Sequence, residues 1–125
     1  MAHPKLRAAL LSLALPIATP VLAVTNDDLR FDTTDDLVAV CSATDNSGAQ
    51  LACTGFIEAT MQYHDAVSDR KNLKRLVCYP SGTSIEDGRA AFLSWAAAHK
   101  TDAKLMAEQP VVGLVRALAA AYPCR

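Results

Sequence analysis

The sequence is short of most features that a catalytic or cofactor-bearing chain of 125 residues would carry. It has no glycine-rich phosphate loop, which argues against nucleotide binding. It has no Cys-X-X-Cys pair, and its four cysteines and three histidines are too widely and irregularly spaced for a zinc site. Asp45 opens an acidic turn, but a calcium loop starting there would need Glu at its twelfth position, where Phe56 stands. Basic residues number 12 against 13 acidic ones, a balance without the clearly cationic surface that nucleic acid draws. No cofactor and no nucleic-acid partner is expected. Nor is there an unbroken apolar run of about 20 residues, the length that crosses a bilayer. The candidate run, residues 8–24, is interrupted by Pro16 and Pro20.

That run instead has the form of a secretory signal peptide, with Lys5 and Arg7 ahead of it and the small-residue tripeptide Val21-Leu22-Ala23 at its end. Cleavage after Ala23 leaves a chain that begins at Val24. The first cysteine is Cys41, so none follows the cleavage site to carry a lipid, and no membrane anchor is expected. The leader removes two basic residues and no acidic ones, leaving ten against thirteen and a net charge of −3. The expected organisation is a signal peptide over 1–23, a flexible polar lead-in over 24–34 and one domain over 35–125, located in the periplasm.

An even number of cysteines in an exported chain points to disulfides, which also consume the thiols that a cysteine nucleophile would need. Cys41, Cys53, Cys78 and Cys124 allow three pairings, of which Cys41 with Cys53 and Cys78 with Cys124 is the expected one. Loop entropy gives these closures roughly 3 and 4 kcal/mol as upper bounds. That is comparable to the whole net stability of a small domain.

Apolar periodicity after the leader is helical, and no strand pattern or repeat is present. The expected fold is all-α, a small single-domain bundle of four to five helices with two disulfides. Thr33 and Asp36 form a capping box ahead of a short helix over 35–43, and residues 44–48 read as a turn. A second helix over 51–68 carries a stripe of Cys53, Phe56, Ile57, Met61, His64 and Val67. Gly55 inside it suggests that another helix crosses closely there. Overlapping boxes, Thr83 with Glu86 and Ser84 with Asp87, start a third helix that ends near His99. Thr101 or Asp102 caps a short turn through Met106, and Pro110 suits the first turn of a last helix whose face is Val111, Leu114, Val115, Leu118 and Tyr122.

Catalysis has little to work with. His64 and His99, the histidines left after the leader, both fall on apolar helix faces, and Asp65 is expected to point away from His64 because it follows it directly. The chain therefore reads as a binding protein and not an enzyme. Two features suit binding. Arg70, Lys71, Lys74 and Arg75 form the concentrated basic patch, and the stretches 44–50 and 79–82 are loops pinned by disulfides, with Asp45 and Asn46 at the tip of the first.

The segments DDLVAVC, CTGFIEA, CYPSGTSIEDGRAAFLSWAAAHK and VVGLVRALAAAYPC together resemble the Rap/Tai family of type VI secretion immunity proteins over 35–124. The shared positions are the helix ending in Cys41, the run Cys53 to Ile57, the Cys-X-Pro at Cys78 to Pro80 with its helix cap, and the closing Pro123-Cys124. Members often have a second glycine where this chain has Ala59, and a His-Pro where it has His99-Lys100. The resemblance implies an all-helical periplasmic domain that binds and silences a secreted effector protein, often a peptidoglycan amidase, and the surface leaves room for a homodimer contact. The alternatives are a periplasmic acid-stress chaperone of similar helical architecture and an accessory protein of the cell envelope.

Overall fold

A computed structural model describes residues 31–125; the expected signal peptide and most of the expected lead-in lie outside the described residues. Five helices form: α1 (Thr34–Ser42), α2 (Ser47–Lys71), α3 (Ile85–His99), α4 (Ala103–Met106) and α5 (Pro110–Ala121). The described residues contain no strand, only an isolated antiparallel bridge between Val77 and Pro123. The fold is all-α, and both bridges join the expected partners, Cys41 to Cys53 and Cys78 to Cys124.

Local capping chemistry sets most of the helix starts. Thr33 accepts from the Asp36 amide while the Asp36 carboxylate accepts from the Thr33 amide, so two of the orphan donors at the start of α1 are satisfied together. At α3 the Ser84–Asp87 box forms, and the Thr83 hydroxyl turns back to donate to the Pro80 carbonyl. Asp102 caps α4 through the amides of Lys104 and Leu105, and Pro110 occupies the first turn of α5. Helix α2 is longer than expected at both ends. Asn46 accepts from the Ala49 amide and draws Ser47 and Gly48 into the first turn, so 47–50 is helix and only the residues before it are loop. At the other end Asn72 takes a left-handed conformation with φ 50° and stops the helix after Lys71.

Helix α1 packs against α2, α3 and α5, and α3 packs against α2 and α5. The core between them is built from Leu37, Ile57, Phe92, Leu114 and Leu118, with the Cys41–Cys53 bridge fully buried among them. The packed region begins before residue 35: Phe31 meets Phe56 edge-on at 5.0 Å, and Thr34 is completely buried. Thr34 donates its amide to the Glu108 carbonyl at 2.8 Å and its hydroxyl to the same oxygen at 3.0 Å, which fastens α1 to the entrance of α5.

The close backbone approach lies at Gly113, not at Gly55. A Cβ on Gly113 would stand 2.2 Å from Thr34 Oγ1, whereas one on Gly55 would meet nothing within 4 Å. Helix α5 is also rotated from its expected face. Gly113, Leu114, Ala117 and Leu118 are buried, while Val111 is exposed and Val115 only half covered. The small residues mark the side that its neighbours can approach.

Candidate partner-binding site

The segment between α2 and α3 folds back along the C-terminal half of α2, and a polar network fixes it there. Leu76 donates its amide to His64 Nε2 at 3.1 Å, so the ring proton resides on Nδ1 and donates to Asp65 Oδ1 at 3.0 Å. Arg75 reaches Asp65 at 3.3 Å and Asp69 at 2.8 Å, and the Tyr79 hydroxyl donates to Asp65 Oδ2 at 2.6 Å. Asp65 therefore does contact His64, contrary to expectation. Successive helical side chains diverge by only about 100°, so two neighbours can converge on a third element laid over the edge between them.

The network biases its own ionisation. Burial pushes the Asp65 carboxyl up, but hydrogen bonds from Tyr79 and His64 and the charge of Arg75 outweigh it and hold the group below its usual range. The hydrogen bond to Asp65, with burial, raises the Tyr79 phenol. The hydrogen bond to Asp69 and the charge of Asp65 raise Arg75 further. His64 has both ring nitrogens committed and a side chain only 8% exposed, so it serves as a brace. His99 donates to the Trp95 carbonyl at 2.7 Å and stacks on that indole. The two histidines thus sit in separate structural roles, and no group of three His, Cys, Asp or Glu among the described residues is arranged to hold a metal.

The folded-back segment also exposes apolar surface that the sequence did not reveal. Tyr63 (73% exposed), Leu73 (55%) and Leu76 (58%) lie beside Val111 and Val112 of α5. Two adjoining grooves of about 300 and 420 Å³ share Leu76, Val111 and Val115. Lys74 lines the first and Arg116, bonded to Glu108, the second. Contiguous apolar surface of this kind, rimmed by charge, is characteristic of an interaction site.

The candidate residues divide between the two ends of α2. Arg70, Lys71 and Lys74 are exposed at its C-terminal end, where Lys74 lines one apolar groove, while Arg75 is half-buried and spends its charge on Asp65 and Asp69. Asp45 is exposed at the other end, and Asn46 is committed to capping. Along a helix the two groups are separated by about 36 Å. An interface patch of about 800 Å² is roughly 32 Å across, so it reaches one end or the other. The Asp45–Asn46 turn and the basic group do not form one compact site.

These features define a class: a small disulfide-braced helical protein that presents an exposed apolar surface with charged residues around it. No helix among the described residues is long and apolar enough to cross a membrane. The chain belongs to the Rap1a immunity protein family, whose model matches residues 33–124. Membership of an immunity family implies binding of a cognate effector, and such proteins are generally not enzymes. No curated protein and no solved structure matches the chain.

Proposed function

We propose that the mature protein acts in the periplasm as a type VI secretion immunity protein, binding and neutralising an effector of the peptidoglycan amidase class. The family match over residues 33–124 carries the immunity reading. The leader in the sequence and the two disulfides support an oxidising compartment outside the cytoplasm. The docking face is the apolar surface around Leu73, Leu76 and Val111, with Lys74 on its rim and the exposed Arg70 and Lys71 at the nearby end of α2 to meet acidic groups of the effector. Arg75 supports that face from behind by holding the segment in place. Asp45 and Asn46, at the far end of α2, are left for a separate contact, and surface remains for a homodimer.

The chaperone alternative gains nothing from the packing. A chaperone that opens in acid needs titratable groups at buried interfaces. By whole-residue exposure the buried polar residues among those described are Thr34 and Ser68, neither of which titrates, and His64, with a side chain 8% exposed, is a single titratable group tied to Asp65 and the Leu76 amide.

The test is binding of the oxidised mature protein to the product of an adjacent reading frame that encodes a cell-wall hydrolase, by surface plasmon resonance. Affinity of about 1 nM or tighter, equivalent to about 12 kcal/mol, is expected, together with loss of hydrolase activity in the complex. Binding that leaves the hydrolase active would defeat the immunity reading.

A further inference from the structure

On the other side of the folded-back segment lies a second groove of about 230 Å³, between α2, the start of α3 and the end of α5. Its floor is apolar, made by Ile57, Met61 and Leu118, and its rim is polar. Two carboxylates, Glu58 and Asp65, line it, and no cationic side chain does.

Three of the four hydroxyls that line the groove have already spent their protons inside the protein. Tyr79 donates to Asp65 at 2.6 Å, Thr83 to the Pro80 carbonyl at 2.8 Å and Ser84 to Asp87 at 2.7 Å. What these oxygens can still offer to a visitor is lone pairs. Gln62 likewise gives one of its amide protons to Glu58 at 3.1 Å. The Tyr122 hydroxyl and the second Gln62 amide proton are the side-chain donors left, against the lone pairs of three hydroxyls and the Glu58 carboxylate, since Asp65 already accepts from His64, Arg75 and Tyr79. A groove with an apolar floor, an acceptor-rich rim and negative charge matches a long aliphatic stem that ends in a donor-only cation.

We infer that this groove is the seat of a lysine or arginine side chain of the bound effector, an inference that rests on the immunity reading for the identity of the partner. The occupant's methylenes lie over Ile57 and Met61 and its cationic head meets Glu58 and the lone pairs of Tyr79 and Ser84. The effector then straddles the segment between α2 and α3, with apolar and acidic groups on the Leu76 side and a basic anchor on the Tyr79 side. Opposite charge preferences on the two flanks fix the orientation of docking as well as its strength.

The groove can be tested without any effector. The oxidised mature protein, labelled with nitrogen-15, is titrated with n-butylguanidinium chloride, with n-butanol and with sodium butyrate at constant ionic strength. Saturable millimolar shifts at Ile57, Met61, Tyr79 and Gly88 are expected with butylguanidinium, binding at least about ten-fold weaker with butanol, and none with butyrate. Glu58→Gln, at an exposed position, should weaken the guanidinium response by about two- to five-fold without altering the rest of the spectrum. Absence of saturable shifts, or an equal response to butyrate, would overturn the proposal while leaving the immunity reading intact. In a second arm Glu58→Lys should lower affinity for the hydrolase partner by at least about ten-fold. Unchanged affinity in that variant removes the groove from the interface, whereas failure of the native protein to bind removes the immunity reading and the named occupant with it.

Discussion

At Gly113 a single methyl group would stand 2.2 Å from the Thr34 hydroxyl and 2.5 Å from its methyl carbon, with no free rotor to absorb the contact because that hydroxyl is bonded to the Glu108 carbonyl. Gly113→Ala should therefore destabilise the fold by about 2–3 kcal/mol, even though alanine is the better helix former by about 1 kcal/mol. Gly55→Ala, in open space, should stabilise by up to about 1 kcal/mol. Urea unfolding of the two variants reads both values, and similar midpoints would contradict the packing described. The Asp65 network sets a second expectation at this scale. Its carboxyl is held below the usual 3.8, so the stability it contributes is complete above pH 3.8 and is lost as pH falls through the lower folded value. Tyr79 runs the other way: its phenol is raised above 10.0, so its contribution is complete below pH 10 and is lost as pH rises through the folded value. Asp65→Asn should lower the melting temperature across the neutral range and flatten the profile at both ends. At the acid end the flattening is partial, because the capping carboxylates Asp36 and Asp87 are also held low by their partners at Thr33 and Ser84. Melting curves by circular dichroism between pH 2 and 11 check this, and parallel profiles for the two proteins would count against the network.

The helices were legible where a start is written in adjacent residues, as at Thr33 with Asp36, Ser84 with Asp87, Asp102 and Pro110. They were not legible where one side chain decides between two local structures. Ser47 and Gly48 have the composition of a turn, and only the Asn46 cap makes them helix. The face of α5 was misread for a different reason: Val111, Leu114, Val115 and Leu118 make a stripe so broad that spacing alone cannot say which edge is covered, and Gly113 and Ala117 settle it by admitting α1 and α3. The candidate site was less legible still, since it joins Tyr63 and Leu76 to Val111 across nearly fifty residues, and a contact of that range leaves no periodic trace. The basic group was found by composition, but the pairing of Arg75 with Asp65 and Asp69 depends on the fold of the segment after Asn72. That segment hangs on the Cys78–Cys124 bridge, where Cys78 is exposed, whereas Cys41 and Cys53 have no exposed surface. Limited dithiothreitol should therefore open Cys78–Cys124 first, as read by differential alkylation and mass spectrometry. Replacing both of its cysteines by serine should cost up to about 4 kcal/mol. At about 4–8 °C per kcal/mol, melting should fall by roughly 15–30 °C.

Taken whole, the molecule has a formal net charge of −1 yet gathers Arg70, Lys71 and Lys74 at one end of α2, close in sequence to the exposed Leu73 and Leu76. Reversing those three to Glu should slow association with the proposed hydrolase partner by about ten-fold at low ionic strength and flatten its salt dependence, with the fold kept and melting lowered only slightly by the acidic residues in the last turn of α2. Arg75 is kept native in that variant because it is tied to Asp65 and Asp69. An unaltered association rate would take the basic rim out of the interface. The order of the bridges has a consequence for how such a molecule comes into being. The first cysteine joins the second and the third joins the fourth. In a chain exported as proposed, N-terminus first, Cys53 and then Cys124 each emerge into the oxidising compartment to meet the native partner as the sole thiol still waiting. Oxidation in order of arrival is already correct, so maturation requires an oxidant but no isomerase, and the seconds to hours that reshuffling takes are avoided. If the proposed immunity role holds, such a protein must be ready before the next toxin arrives, and readiness is written into the succession of its cysteines.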